Sequence, residues 1–140
     1  MMDFHVVFIA DPTEDQLLAI VGLYRQAGWW PDQEAEDYAL LARLVGQSYC
    51  FAVAMAGERL IGMGRAISDG VSDAYVQDVT VDAAWRRSGV GTRIVQHILD
   101  RLRVDGIGWV GLIAEKGSAP FYGRFGFAEM PNAQPMLLKQ

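Results

Sequence analysis

The chain has 140 residues, of which 51% are hydrophobic, 21% charged and 11% aromatic, so we expect a single compact domain over residues 1–140. Its one cysteine, Cys50, excludes an internal disulfide framework and suits a reducing compartment. Twelve Lys and Arg against seventeen Asp and Glu leave a net charge of −5, which denies a nucleic-acid backbone a uniformly basic surface. The longest uninterrupted apolar stretch, residues 49–56, falls far short of the ~20 needed to cross a bilayer. Residues 1–7 lack the basic-then-apolar layout of a signal peptide. The expectation is a cytoplasmic protein with neither a nucleic-acid nor a membrane partner.

No repeat or low-complexity tract interrupts the chain, and Gly and Pro stand as punctuation between periodic segments. Residues 4–9 are β-rich and close at Asp11-Pro12. Thr13 and Gln16 then have capping-box spacing for a helix with Leu17, Ile20, Val21 and Tyr24 on one side, ended by Gly28. Trp29-Trp30-Pro31-Asp32 forms an aromatic connection, and Asp32 caps a second helix carrying Tyr38, Leu41, Leu44 and Val45 inward, closed by Gly46. Residues 49–56 and 59–67 read as a hairpin turning through Ala56-Gly57-Glu58, and a further turn follows at Ser68-Asp69-Gly70.

Residues 74–81 make another strand. Residues 89–104 make a long helix with Val90, Ile94, Ile98 and Leu102 facing inward, terminated by Gly106. Residues 109–114 form a short apolar strand, 118–125 a short helix, and 127–129 with 136–139 a closing pair of strands. The order βααβββαβαββ defines an α/β fold whose mixed, mostly antiparallel sheet is flanked by helices.

The informative stretch runs from Gln77 to Thr92, where a strand passes through a basic, glycine-bearing turn into an amphipathic helix. A helix N-terminus offers unpaired N–H groups and partial positive charge, and glycines let phosphate oxygens approach the backbone. Arg86 and Arg87 add charge. The stretch lacks both the Lys-Ser/Thr pair of a P-loop and the three-glycine run of a dinucleotide fingerprint, which argues against ATP and NAD. The competing reading is a helix start whose glycines serve packing alone.

Arg86-Arg87-Ser88-Gly89-Val90-Gly91 resembles the Arg/Gln-x-x-Gly-x-Gly/Ala signature of the GNAT superfamily of acyl-CoA-dependent N-acetyltransferases. About thirty residues downstream, Pro120-Phe121-Tyr122-Gly123-Arg124-Phe125-Gly126-Phe127 is similar to that family's Phe-Tyr-x-x-x-Gly-Phe segment. The element order resembles the family throughout, while only residues 75–127 are motif-specific. The resemblance implies acetyl-CoA as cosubstrate. Its pyrophosphate would be held by N–H groups of Arg87, Ser88, Gly89, Val90, Gly91 and Thr92, with Arg86 and Arg87 supporting the charge. It further implies that the strand holding Val79, Thr80 and Val81 splays from the strand holding Leu112, admitting the pantetheine arm. A bulge near Asp78 and Val79 would free an amide for the thioester carbonyl.

Acyl transfer to an amine needs a neutral nitrogen, and an alkylamine with a pKa of about 10 is mostly protonated at neutral pH. It also needs a proton for the departing thiolate. Tyr122 matches the family's tyrosine acid, against the alternative of a buried phenol bonded locally. Asp78 and Glu115 are candidate bases, with proton loss to water the other route and a bulge-stabilising role the alternative for Asp78. Many family members carry Asn at the position of Glu115 and Ala at that of Ser118, so substrate contacts there differ. Trp29 and Trp30 are expected to offer aromatic faces to an amine, or to plug the space between helices.

Cys50, among Tyr49, Phe51 and Val53, reads as core, and His5 and His97 lack ligand spacing, so no metal is expected. The function expected is transfer of an acetyl group from acetyl-CoA to a primary amine of a small molecule, by direct transfer in a ternary complex. The alternatives are acetylation of a protein lysine or N-terminus, and a non-catalytic CoA-binding sensor. Exposed edge strands would permit a homodimer.

Overall fold

The computed structural model describes residues 3–30 and 38–140. The elements run β1 (His5–Phe8), α1 (Glu14–Gln26), α2 (Tyr38–Gln47), β2 (Cys50–Ala56), β3 (Arg59–Ser68), β4 (Asp73–Val81), a 3₁₀ turn (Ala83–Trp85), α3 (Val90–Val104), β5 (Trp109–Gly111) and α4 (Ala119–Gly123). The strands form one sheet in the order β1-β2-β3-β4-β5, antiparallel except for the parallel β4–β5 pair.

The two faces of the sheet carry separate cores. On one, α1 and α2 bury Ile20, Tyr24, Leu41 and Val45 against Phe51, Val53 and Met63. On the other, Val90, Ile94, Ile98 and Leu102 of α3 meet Ala52, Ile61, Ala66 and Val76. Both faces of β2 are therefore covered, which explains a nearly continuous apolar run without alternation. Gly62 and Gly64 of β3 let α3 lie close to the sheet: a Cβ at Gly64 would stand 2.9 Å from Ile94 Cγ2 and 3.0 Å from Val79 Cγ2.

The capping box forms as its spacing requires. The Gln16 amide donates to Thr13 Oγ1 at 3.1 Å, and the Thr13 amide donates to Gln16 Oε1 at 2.9 Å. Gly28 follows the end of α1 at φ +78°. The second helix continues through Gly46 to Gln47 rather than closing there, and Asp32 lies outside the described residues.

Three expectations about the end of the chain are corrected. The strand expected over 109–114 ends at Gly111, and the short helix expected over 118–125 spans Ala119–Gly123. No strand forms at 127–129 or 136–139 among the described residues. Pro131 and Pro135 supply no N–H to a ladder, and residues 128–140 are all exposed, so no burial compensates the entropy of ordering them as strands.

Candidate active site

The ladder between β4 and β5 is brief. Asp73 pairs with Trp109, Ala74 with Val110 and Tyr75 with Gly111, and there the pairing stops. From Val76 to Val81 the edge of β4 facing β5 is open, which is the splay expected between Val79 and Leu112. A cleft of about 550 Å³ occupies the opening, walled by β4, the segment after β5, α4 and the end of α1.

On its other edge β4 carries a bulge. Met63 pairs with Thr80 and Arg65 with Gln77, so Gly64 opposes both Asp78 and Val79. Asp78 sits at φ +60°, a left-handed conformation that Asp tolerates better than most side chains. Its Oδ2 accepts from the Tyr24 hydroxyl and from Arg65 Nε, each at 2.7 Å. Arg65 also reaches Ser48 Oγ at 3.4 Å, and Ser48 Oγ donates to Leu44 O at 2.7 Å. The bulge is thereby tied to α1, to β3 and to the end of α2. Burial, and then the Asp78 carboxylate, push the Tyr24 hydroxyl far above its ordinary value, so it stays a donor.

Tyr122 lines the cleft from α4. Its ring meets Phe121 and Phe127 edge-on, at centroid distances of 4.9 and 6.0 Å. No hydrogen bond to its hydroxyl occurs among the described residues, so the phenol is not spent on a local contact. Burial raises its pKa above the ordinary phenol value. Glu115 is exposed at the rim and accepts from Trp29 Nε1 at a long 3.4 Å.

The end of α1 organises the remaining wall. Lys116 Nζ donates to Ala27 O at 2.8 Å, placing a cation at the helix C-terminus, and the Ala83 amide donates to Gln26 Oε1 at 3.1 Å. The Trp29 and Trp30 amides both point to Tyr24 O, and their side chains then diverge. Trp29 lines the cleft, whereas Trp30 stacks on Tyr24 at 4.4 Å and 13° and does not.

The turn before α3 has two left-handed residues, Arg87 at φ +65° and Gly89 at φ +85°, on either side of Ser88. Ser88 Oγ donates to Trp85 O, and Arg86 Nε to Val81 O at 3.2 Å, folding the turn back onto β4. No side chain caps α3, and none of the described loop hydrogen bonds uses the amides of Arg87, Ser88 or Gly89 as donors. These amides, ahead of the N-terminus of α3, are donors an anion could take up. Val90 itself is core, and Gly91 lies against Phe121, where a Cβ would be 3.5 Å from the ring.

Of the residues singled out in the sequence, Trp29, Asp78, Val79, Thr80, Arg86, Glu115 and Tyr122 line the cleft. Val81, Arg87, Ser88, Gly89, Val90, Gly91 and Thr92 continue from it along the end of β4 and the start of α3, and Trp30 stands apart. Sequence reasoning missed the roles of Tyr24 and Arg65. An arginine inside an otherwise apolar strand was the available signal for the second. Among the described residues no group of three or more His, Cys, Asp or Glu side chains could hold a metal ion.

A sheet split beside a bulge, a turn of unspent amides leading into α3 and a phenol in the opening make up the arrangement that the sequence resemblance implies. A family model for the acetyltransferase (GNAT) domain matches residues 10–136. The chain belongs to the GNAT acetyltransferase family. Among curated relatives, histone acetyltransferase TAP1 of Glycine max is 35% identical over 75 residues, 54% of this chain and 32% of that protein. Serotonin N-acetyltransferase 2, chloroplastic, of Oryza sativa subsp. japonica is 35% identical over the same length, 38% of its own. The match thus spans only about a third of the length of these relatives. Among solved structures, SA2161 of Staphylococcus aureus superposes with a TM-score of 0.82 at 24% identity, covering 99% of this chain and 100% of that one, a likeness of fold.

Proposed function

We propose that the chain transfers an acetyl group from acetyl-CoA to a primary amine of a small molecule, directly and within a ternary complex. The observation that carries this reading is the unpartnered Tyr122 hydroxyl in the cleft where β4 and β5 part. The free amides at Arg87, Ser88 and Gly89, with the Arg86 and Arg87 guanidinium groups, suit the pyrophosphate of CoA. The open edge of β4 from Val76 onward suits its amide-bearing arm. The thioester supplies the activated acyl group.

The chain's own residues then divide the work. The bulge at Asp78 and Val79 offers main-chain donors to the carbonyl oxygen as negative charge develops there. Glu115, or water beside it, takes the proton from the ammonium form of the acceptor. The freed amine attacks the carbonyl carbon, a C–N bond forms and the C–S bond breaks. Tyr122 gives its hydroxyl proton to the leaving sulfur, and the second proton, shed by the nitrogen as the C–N bond forms, returns through water to the phenolate, yielding the amide and the free thiol of CoA. Asp78 is a positioning residue on this reading, because the oxygen bound to Arg65 and Tyr24 holds the bulge instead of accepting a proton.

A cleft of this volume, with Trp29 and Tyr75 in its wall, suits a small amine better than an extended peptide. The name of the soybean relative favours a second reading, transfer to a protein lysine. Thiol release dependent on acetyl-CoA, measured across matched panels of small amines and lysine or N-terminal peptides, separates the two. CoA binding with no release against either panel would leave a binding module and refute the enzyme reading.

A further inference from the structure

The stretch between β4 and α3 is secured more by hydrogen bonds than by burial. Ala83, Ala84 and residues 86–89 are exposed, and packing holds the stretch at Trp85, which lies against the core under α3. The Asp82 amide donates to Ile61 O at 2.8 Å, the Asp82 carboxylate accepts from the Ala84 amide at 2.9 Å, and the Trp85 amide returns to Asp82 O at 2.8 Å. That leaves the Ala83 amide, which donates to Gln26 Oε1 at 3.1 Å across 57 residues of sequence.

Gln26 sits on firm ground. It is the last residue of α1, and residues on either side of it are anchored to other elements. Ala27 O accepts from Lys116 Nζ at 2.8 Å, and the Tyr24 hydroxyl donates to the Asp78 carboxylate at 2.7 Å. From Ala83 the path to the unspent amides is short. Trp85 O, at the end of the 3₁₀ turn, accepts from Ser88 Oγ, so that turn and the residues Arg87 to Gly89 are joined into one piece. Gln26 is itself exposed and fills no core, so what it contributes is the bond to Ala83.

We infer that Gln26 is a positioning residue for the coenzyme: its side-chain oxygen ties the 3₁₀ turn to the end of α1 and so keeps the amides of Arg87, Ser88 and Gly89 in place for the diphosphate. The inference rests on the acetyl-CoA reading above. Gln26 acts through the turn, not by touching the diphosphate. Without the tie the amides spend part of their time out of place, and the apparent affinity falls by the fraction of the chain that remains competent. One neutral hydrogen bond corresponds to about threefold to tenfold in that population.

The test is a protein-observed NMR titration of the full chain with CoA, made on the unaltered protein, on Gln26→Met, which keeps the length but lacks the oxygen, and on Gln26→Ala, well tolerated at an exposed helical position. Both variants are expected to bind CoA about threefold to tenfold more weakly. Before any CoA is added, their amide shifts are expected to move at residues 82–89 and to stay put at residues 90–104 of α3. Equal affinity in the unaltered chain and the variants overturns the inference alone. Weaker binding with unmoved shifts at residues 82–89 overturns it too, because Gln26 would then be touching CoA directly from the cleft wall. A loss of resonance dispersion in both variants makes the residue structural and has the same result. No CoA binding by the unaltered chain overturns the acetyl-CoA reading and this inference together.

Discussion

Arg65→Met is the sharpest test of how the bulge is held. The guanidinium and the Asp78 carboxylate are 2.7 Å apart, with side chains only 15% and 20% exposed. Removing one partner of a fully buried pair costs about 3–5 kcal/mol, and an exposed pair is worth about 0–1 kcal/mol. At this depth, with the Tyr24 hydroxyl still donating to Asp78, the loss should be about 2 kcal/mol. Much of that cost is the stranded carboxylate rather than the lost attraction. Adding Asp78→Asn to Arg65→Met should therefore recover roughly half of it, a non-additivity that a double-mutant cycle isolates.

The consequence for turnover follows from the same contact. Losing one donor to a developing oxyanion costs about 10²–10³ in kcat, and a loosened bulge should forfeit part of that, at least about tenfold. The turn from Arg87 to Thr92 is untouched, so KM for acetyl-CoA should stay within about threefold. Urea unfolding and steady-state thiol release on the same preparations measure both quantities. A stability loss below about 0.5 kcal/mol with unchanged kcat would refute the claim that this ion pair shapes the site.

Tyr122→Phe removes a hydroxyl with no hydrogen-bond partner among the described residues, so stability should change by less than about 0.5 kcal/mol while kcat falls about 10²-fold or more and CoA affinity, by calorimetry, is retained. Because burial raises the Tyr122 pKa, the phenol keeps its proton throughout the neutral range, and any alkaline fall in kcat that it causes should come at higher pH than an ordinary phenol would give and vanish in the Phe variant. Gly64→Ala would place a methyl 2.9 Å from Ile94 Cγ2 and 3.2 Å from Ile98 Cδ1, costing about 1–3 kcal/mol in thermal or urea unfolding. Tyr24 has a folded pKa raised above its unfolded value of 10.0, so its stabilisation is complete below pH 10 and declines as pH climbs toward the folded value. Tyr24→Phe should flatten that alkaline slope in pH-dependent unfolding.

What the sequence disclosed was local. Thr13 and Gln16 are three residues apart, and their capping box needs nothing beyond that spacing. The inward stripe Val90, Ile94, Ile98 and Leu102 follows from helical period, and the glycine-bearing turn from chain order. Arg65 and Asp78 are 13 residues apart, and Tyr24 and Asp78 are 54 apart, so their meeting depends on strand register and on how α1 crosses the sheet. Neither is written in any short window. Trp29 and Trp30 are indistinguishable by composition, yet the end of α1 sends one to the cleft and the other onto Tyr24. At 127–129 and 136–139 local β preference found no partner strand among the described residues.

Asp78 shows why a single residue type answers two demands that are separable in principle. The bulge requires φ of +60°, which disfavours branched and bulky side chains and leaves Gly, Asn and Asp as the ready choices. Gly would permit the backbone and anchor nothing. Asn would tolerate the conformation but leave the Arg65 guanidinium without a counter-charge in a site only 15% exposed. Asp supplies a short side chain that accepts from Arg65 and Tyr24 at once, so the strained geometry that opens the ladder is held by contacts from two other elements. Strain placed beside the cleft is thus offset by the network behind it, and the cleft wall formed by Trp29, Tyr75 and Glu115 can vary without disturbing the bulge.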